Sequence, residues 1–600
     1  MPAPAHARAA SNGQAEPFDL GSGAALSLPA AIAVKRSDPV YMAHAYLTKV
    51  PVTAAIPFIE AMTAPGDVVL DPFAGSGMTG VAALAAGRQA RLFDVSVLGR
   101  HIGRNYVNLV DADTLRRQGA AAVKRAREVV GGLYQVPCAE CDVLAETAKT
   151  IWSVVVRCDA CGTEANYYES LRDAGWHKPQ MQCGRCGGPL SSRCSRVDEV
   201  PVVNSIACTC STKQREQPWS PPPVSPCVDG LSWPDVPIEP TRQMYQASAL
   251  GRHGLTSTAA FYSRRNLCAL AALRDAIEAT DDAAIRGKLR FAFTAILTRA
   301  SKRYQWSRQR PLNAANANYY VAPVFYEWNV FDLFSRKVQA VARSDAWIRE
   351  HRLERRLAED GVAEQVTYEI ANATSLPLDD GSVDYVFTDP PFGSNIFYSD
   401  MNLFQEAWLP SGQLTEAGLE AVVDRTDTGN YRSADRYERM LTEALRECRR
   451  VLKPHGYITL LFGNSSGAVW RLLQRAIAEA GLVVVPELIA TLDKGQRSVK
   501  GLASGFEHVA TVDLMLTMTA GCAPTHAESP APAVVESAVR DIAASDTDIS
   551  PSQCYVELVR EGFRQGWDLS AIDLRTVTRL LRDANYEVDR STGLLRLRAS

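Results

Sequence analysis

Six hundred residues, at roughly 150 per domain, leave room for about four domains and a large buried core. Apolar residues make up 46% and charged residues 22%, which excludes a wholly disordered or fibrous chain. The net charge of −3 excludes a polycation, so any affinity for nucleic acid has to come from local patches.

Residues 1–36, rich in Ala, Pro, Ser and Gly without a period, read as a disordered tail. They lack the apolar segment of a secretory signal, and no apolar run approaches the ~20 residues that span a bilayer. The expected compartment is therefore the cytoplasm, with no membrane partner. From residue 37 to about 130 the pattern is α/β. A helix-length stretch, Val52–Met62, leads through Ala64-Pro65-Gly66 into a strand, Asp67–Asp71. A glycine-rich turn, an Ala-rich helix (Thr79–Ala86) and a second strand ending at Asp94 follow.

Residues 131–216 form a cysteine-rich block, and a Pro-rich linker begins at Trp219. The rest of the 217–360 region reads as mostly helical. Between Arg252 and Arg310 it carries twelve basic residues against four acidic ones. Arg264, Arg265, Lys302, Arg303, Tyr304, Trp306, Arg308 and Arg310 are candidate phosphate contacts there, with a solvated helix face as the alternative. The α/β signal returns over 361–520, with strands at Thr367–Ala371, Val383–Thr388 and Tyr457–Gly463 and helices near 434–450 and 468–480. Leu482–Leu488 and His508–Thr517, with no helix between them, read as an antiparallel pair at a sheet edge. A flexible linker over 521–550 and a small helical module over 551–600 complete the chain.

Two segments carry chemistry. The first is Asp71-Pro-Phe73-Ala-Gly75-Ser-Gly77-Met-Thr-Gly80, between a strand and a helix. Its glycines permit a tight turn and close approach of a ligand to the backbone. Asp94, 23 residues beyond Asp71, ends the next strand, where a carboxylate can accept both hydroxyls of a ribose. The turn lacks the Gly-Lys-Ser/Thr ending of a phosphate loop, which argues against ATP hydrolysis. Gly75, Gly77 and Gly80 meet the dinucleotide spacing and keep NAD open, although Asp71 would face its pyrophosphate with an anion.

The second is Asp389-Pro390-Pro391-Phe392, directly after a strand. Two prolines remove two backbone donors and stiffen an extended turn. The Asp389 carboxylate and the Pro390 carbonyl then form two rigid acceptors, with Phe392 as a flat face beside them. That set suits a planar amine on an aromatic ring.

Together these motifs resemble the DNA amino-methyltransferases, which methylate adenine N6 or cytosine N4. The resemblance covers roughly residues 40–110 and 365–520. It implies a Rossmann-like S-adenosylmethionine-dependent methyltransferase fold, a mostly parallel α/β sheet with an antiparallel edge; the zinc-ribbon and helical insertions it would carry are read from the residues themselves. Asp71, Phe73, Gly75, Gly77, Asp94 and Asn372 then hold S-adenosylmethionine. His44–Pro51 closes over its methionine end, and Asp389, Pro390, Pro391 and Phe392 hold a flipped-out base. The family usually has an acidic residue near Asn372. An Asp before Pro-Pro favours adenine N6. DNA is the implied partner, in a restriction or phage-defence system whose other components are further candidates. N4-cytosine, RNA or protein-amide methylation, and an inactive zinc-ribbon DNA-binding protein, stay open. Cytosine C5 chemistry is disfavoured, because Pro137-Cys138 and Pro226-Cys227 follow no core strand.

Nine of the fourteen cysteines fall between Cys138 and Cys210. In a reducing compartment such pairs read as structural zinc ligands. In chain order Cys138, Cys141, Cys158 and Cys161 form one set, and Cys183, Cys186, Cys208 and Cys210 a second, with Cys194 as a substitute ligand for the second. Basic and acidic residues balance at nine each from Cys138 to Arg215, so charge does not mark this block as a DNA contact.

Overall fold

The computed structural model describes residues 28–33, 38–223, 230–308, 319–355, 357, 365–393, 396–423, 433–493, 512–521, 528–545, 549–589 and 592–597, and the backbone of 18–19 and 25–26. The principal strands in chain order are Ala31–Ala33 (β1), Val68–Asp71 (β2), Gln89–Asp94 (β3), Leu144–Arg157 (β4), Ser195–Ala207 (β5) and Val324–Trp328 (β6). Val366–Ile370 (β7), Val383–Thr388 (β8), Leu452–Phe462 (β9), Leu482–Val484 (β10), Ala490–Asp493 (β11) and Val512–Ala520 (β12) follow.

One sheet runs β7-β3-β2-β8-β9-β12-β11-β1. Pairing is parallel from β7 to β9, and β12 is antiparallel to both its neighbours. The near-continuous burial of Val383-Asp-Tyr-Val-Phe-Thr388 is what a parallel strand covered on both faces requires. The expected antiparallel pair is present as β10 against β12. Its place differs: β12 lies inside the sheet, because β11 and then β1 pair beyond it. β1 also removes Ala31–Ala33 from the expected disordered tail. The rest of residues 1–36 falls mostly outside the described set.

The order in which strands are added to the sheet reverses between the parallel neighbours β2 and β8, where Leu70 faces Val386 in register. β2 ends in the glycine-rich turn and β8 ends in Asp389-Pro-Pro-Phe, so the two motifs meet at the carboxyl edge of the sheet. Open α/β sheets bind ligands at such a switch point.

The insertion between β3 and β7 has its own sheet, β5 and β6 flanking the long strand β4. β6 lies in the stretch expected to be helical, and it ties the helical region to the cysteine block. The basic stretch is also reassigned. Arg265 is buried against Glu327, Lys288 pairs with Asp345 at 2.8 Å, and Lys302 pairs with Glu199 at 2.7 Å. Arg303 is 2% exposed, and Tyr304 is buried. Arg264 stacks on Trp233, Arg308 on Trp176, and Trp306 meets Tyr168 edge-on. Most of these proposed phosphate contacts are internal struts, because their partners come from segments distant in sequence. Arg310 lies outside the described residues.

Within the expected 521–550 linker, Pro532–Ser545 is a helix that buries Val539 and Ala543. It packs against the helices Pro551–Gln565 and Leu574–Asp583, so the carboxyl-terminal module is larger than its sequence suggests. Ser550 and Gln553 form a reciprocal cap at the start of the second of these helices.

Candidate active site and metal centres

The glycine turn owes its shape to two glycines with positive φ, one with no room for a Cβ and one with little. Gly77, with φ +78°, is the cap of the Met78–Ala85 helix. A Cβ there would sit 2.7 Å from Gly103 Cα, in the facing helix Val97–Val107. Gly75, with φ +49°, would place its Cβ 3.3 Å from the Tyr46 ring. We expect Gly77→Ala to cost on the order of 2–3 kcal/mol, from left-handed strain plus a backbone clash. A chemical-denaturation midpoint equal to that of the parent would refute this geometry.

Asp71 closes the turn. Its Oδ1 accepts the Thr388 hydroxyl at 2.8 Å and the Phe73 N–H at 3.1 Å, and its Oδ2 accepts the Thr79 hydroxyl at 2.6 Å. Thr388 immediately precedes Asp389, so one carboxylate pins the first motif to the second. Burial raises the Asp71 pKa to about 6, against the lowering effect of these donors. Between its unfolded value of ~3.9 and about 6 the folded protein keeps a proton that the unfolded chain has lost. That contribution favours folding at low pH and is lost as pH rises through 6. Asp94 accepts the Gly75 N–H at 2.7 Å and the Ser96 N–H at 2.9 Å, one on each oxygen.

These residues line one cavity. Asp71, Phe73, Gly75, Asp94, Asn372, Asp389 and Pro391 all reach it, so the two motifs predicted to cooperate do share a pocket. Gly77 shapes the turn from behind. Asn372 lies in the loop after β7, and its Oδ1 accepts the Thr374 N–H at 3.1 Å. Pro390 is buried, and the Pro391 carbonyl accepts the Tyr437 hydroxyl at 2.5 Å, which fixes the path of the diproline. Phe392 stands outside the lining. Its ring packs 5.0 Å from Phe462, and its carbonyl accepts Asn464 Nδ2 at 3.0 Å.

Sequence reasoning named the His44–Pro51 segment but not its partner across the cavity. Tyr46 and Tyr398 stack with ring centroids 6.1 Å apart, and Tyr398 Oη shares a hydrogen bond with Thr48 Oγ1 at 2.8 Å. Tyr398 opens a short helix, Tyr398–Glu406, held by three carboxylates. Glu420 accepts the Ser399 hydroxyl at 2.8 Å and the Tyr398 N–H; Asp400 pairs with Arg242 at 2.8 Å; Glu406 accepts the Leu98 N–H at 3.0 Å. Acceptors at a helix amino terminus are favoured by its orphan N–H groups. Behind the segment, Lys49 Nζ donates to the Tyr41 and His44 carbonyls at 2.5 and 2.7 Å. Burial lowers its pKa to about 7. An aromatic six residues past a diproline motif was the only sequence signal for Tyr398, and it is a weak one.

The cysteines gather into two groups of four, but not in chain order. Cys138, Cys141, Cys208 and Cys210 form one, and Cys158, Cys161, Cys183 and Cys186 the other. β4 and β5 pair antiparallel along their length, so residues just before β4 meet residues just after β5. The expected sets of consecutive pairs are therefore replaced by nested ones. Sulfur–sulfur separations of 3.5–3.7 Å between partner pairs suit a tetrahedron with Zn–S bonds of ~2.3 Å, whose edge is about 3.8 Å. Arg215 Nη2 donates to Cys210 Sγ at 2.9 Å, a cation placed to balance thiolate charge. Cys194 is buried apart from both groups.

Among the described residues no helix is long and apolar enough to cross a membrane. A DNA methylase family model matches residues 31–111, the segment with the glycine turn and Asp94. YubD of Escherichia coli (strain K12), described as a candidate methylase, is 43% identical over 74 residues. That match spans 12% of this chain and 32% of YubD, so the chain covers about a third of that relative's length. Two solved structures align weakly. The geranyl diphosphate C-methyltransferase of Streptomyces coelicolor A3(2) is 14% identical, over 29% of this chain and 59% of its own, at a TM-score of 0.15. The [4+2]-cyclase SpnF is 14% identical, over 30% of this chain and 62% of its own, at the same TM-score of 0.15. At that score neither bears on fold or function. In its cofactor-motif segment, then, this chain resembles the DNA methylase family.

Proposed function

We propose that the protein is an S-adenosylmethionine-dependent methyltransferase acting on an exocyclic amino nitrogen of DNA, with adenine N6 as the favoured target. The observation that carries this reading is a single cavity lined by both Asp94 and Asp389, at the switch point of a mostly parallel sheet. The donor set fits the cofactor. Each Asp94 oxygen has spare acceptor capacity for ribose hydroxyls, and Asn372 and Thr374 offer polar edges for its adenine. Tyr46, Thr48 and Lys49 wall the opposite side. When bound, S-adenosylmethionine supplies a methyl group activated by its sulfonium.

The chain's own contribution is positional and electrostatic. An aromatic amine is a poor nucleophile because its lone pair is delocalised into the ring. Asp389, on the cavity lining, accepts an N–H hydrogen and draws the nitrogen toward tetrahedral geometry, while Pro390, buried behind the lining, stiffens the turn that aims it. The positive charge that the nitrogen would gain during transfer would be stabilised by the Asp389 carboxylate, which would then accept the proton the nitrogen loses. Asp71 acts from behind the pocket, holding the two motifs in register. The Tyr46–Tyr398 pair supplies flat walls close to Asp389. Phe392 backs the turn with its ring packed on Phe462, so the flat faces open to a flipped base are those of Tyr46 and Tyr398.

Zinc in both Cys₄ groups is structural, since four thiolates leave no open position. A reducing cytoplasm suits such sites, and a restriction or phage-defence system suits a DNA amino-methyltransferase. Incubation of the full chain with labelled cofactor and mixed DNA, followed by nucleoside mass spectrometry, tests the reading. N6-methyladenine is the expected product. N4-methylcytosine would move the target base, and label confined to RNA or protein would overturn the DNA assignment.

A further inference from the structure

A second cavity lies on the far side of the segment that walls the first. Pro39, Met42 and Ala45 line it, immediately before Tyr46, Thr48 and Lys49 of the cofactor cavity. Its other walls are the helices Ala283–Ala300 and Val330–Glu354, which contribute Arg299, Arg336, Lys337 and Arg343. No carboxylate lies within ion-pair distance of any of these four cations among the described residues, in contrast to Arg265, Lys288 and Lys302. Arg299, Arg336 and Arg343 are exposed, and Lys337 is half-buried with its Nζ donating to the Met42 carbonyl at 3.1 Å. Arg299 lies over the Tyr304 and Trp328 rings, at 5.0 and 4.5 Å from their centroids, and Arg336 lies over Trp328 at 5.7 Å.

Four like charges around one concavity repel one another, and a fold keeps such an arrangement at a cost unless an anion neutralises it. We propose that this cavity binds the phosphodiester backbone of duplex DNA, an inference that rests on the DNA reading above. Spacing favours a polymer over a small anion. Arg336 and Arg343 are two helical turns apart, about 10 Å along the axis, so one phosphate cannot meet both. A DNA strand presents a phosphate every ~3.4 Å of axis and can engage them in succession. The rings under Arg299 and Arg336 partly desolvate those two guanidinium groups, which strengthens a phosphate contact. Because the exposed Met42 and Ala45 form one wall of the cavity, a strand seated here would run beside the segment that closes the cofactor site.

The test is duplex-DNA binding by the full chain at several salt concentrations, with Arg299→Gln/Arg336→Gln/Arg343→Gln compared against the parent. All three side chains are exposed, so the fold should tolerate the change, and calorimetric binding of S-adenosylmethionine should stay unchanged as the control. Affinity at ~0.1 M salt is expected to fall tenfold or more, and the slope of log K against log salt to shrink by about 2. Parental affinity and slope in the triple variant would overturn the proposal while leaving DNA methylation intact. If the parent binds no duplex at any salt, both readings fall. If it instead holds single-stranded RNA through these arginines, DNA is excluded as the occupant.

Discussion

Asp389→Ala should lower methyl transfer about 10³-fold, equivalent to about 4 kcal/mol of transition-state stabilisation, with cofactor affinity within about threefold of the parent. The separation of effects follows from geometry. Asp389 lies at the β8 tip, whereas the proposed ribose acceptor, Asp94, lies at the β3 tip, two strands away across β2. Asp389→Asn keeps an acceptor oxygen and removes the charge, so its rate should fall between the two. Single-turnover rates with saturating cofactor are the measurement that isolates this step from product release. A rate for the alanine variant within tenfold of the parent would remove Asp389 from the chemistry. Loss of cofactor binding in the same variant would mean that the two motifs form one inseparable site.

The second large effect concerns metal stoichiometry. Two zinc ions per chain are expected, and double substitutions distinguish nested ligand sets from consecutive ones. Cys141→Ser/Cys208→Ser damages a single nested site and should leave one zinc. Cys141→Ser/Cys158→Ser damages both and should leave none. Consecutive sets would give the reverse. Binding of structural zinc is worth on the order of 10 kcal/mol in small domains. At the Cys138 end the apolar support is a cluster of only five residues, Val136, Cys138, Ala145, Ile206 and Cys208. Loss of metal there should expose residues 139–142 to protease while the main sheet stays folded. Two zinc ions in the first double variant would reject the nested arrangement, and no zinc in the parent would reject metal altogether.

Much of the main sheet was legible because parallel strands announce themselves as short apolar runs ending in Gly or Asp-Pro. Val383–Thr388 and Val52–Met62 have the expected boundaries. The meeting of the glycine turn with Asp389 was also readable, since both follow strands at one sheet edge. What sequence concealed was pairing over distance. Glu327 and Asp345 neutralise Arg265 and Lys288 from 57 or more residues away, so a charge count saw a basic surface where the fold has a core. The nested cysteines depended on recognising Leu144–Arg157 and Ser195–Ala207 as two arms of one ladder. Tyr398 depended on a helix whose anchors, Arg242 and Leu98, lie far upstream.

β3 and β7 are neighbours in space, with Val366 opposite Ala90, although about 270 residues of chain separate their facing ends. As the polypeptide leaves the ribosome, β2 and β3 therefore lack their outer partners, β8 and β7, until the whole insertion has been synthesised. Closing so long a flexible loop is entropically unfavourable. An insertion that has already collapsed shortens that loop to the gap between its own two ends. Folding of the insertion on its own sheet and the joining of β3 to β7 are thus linked through chain connectivity, although the two sheets share no strand.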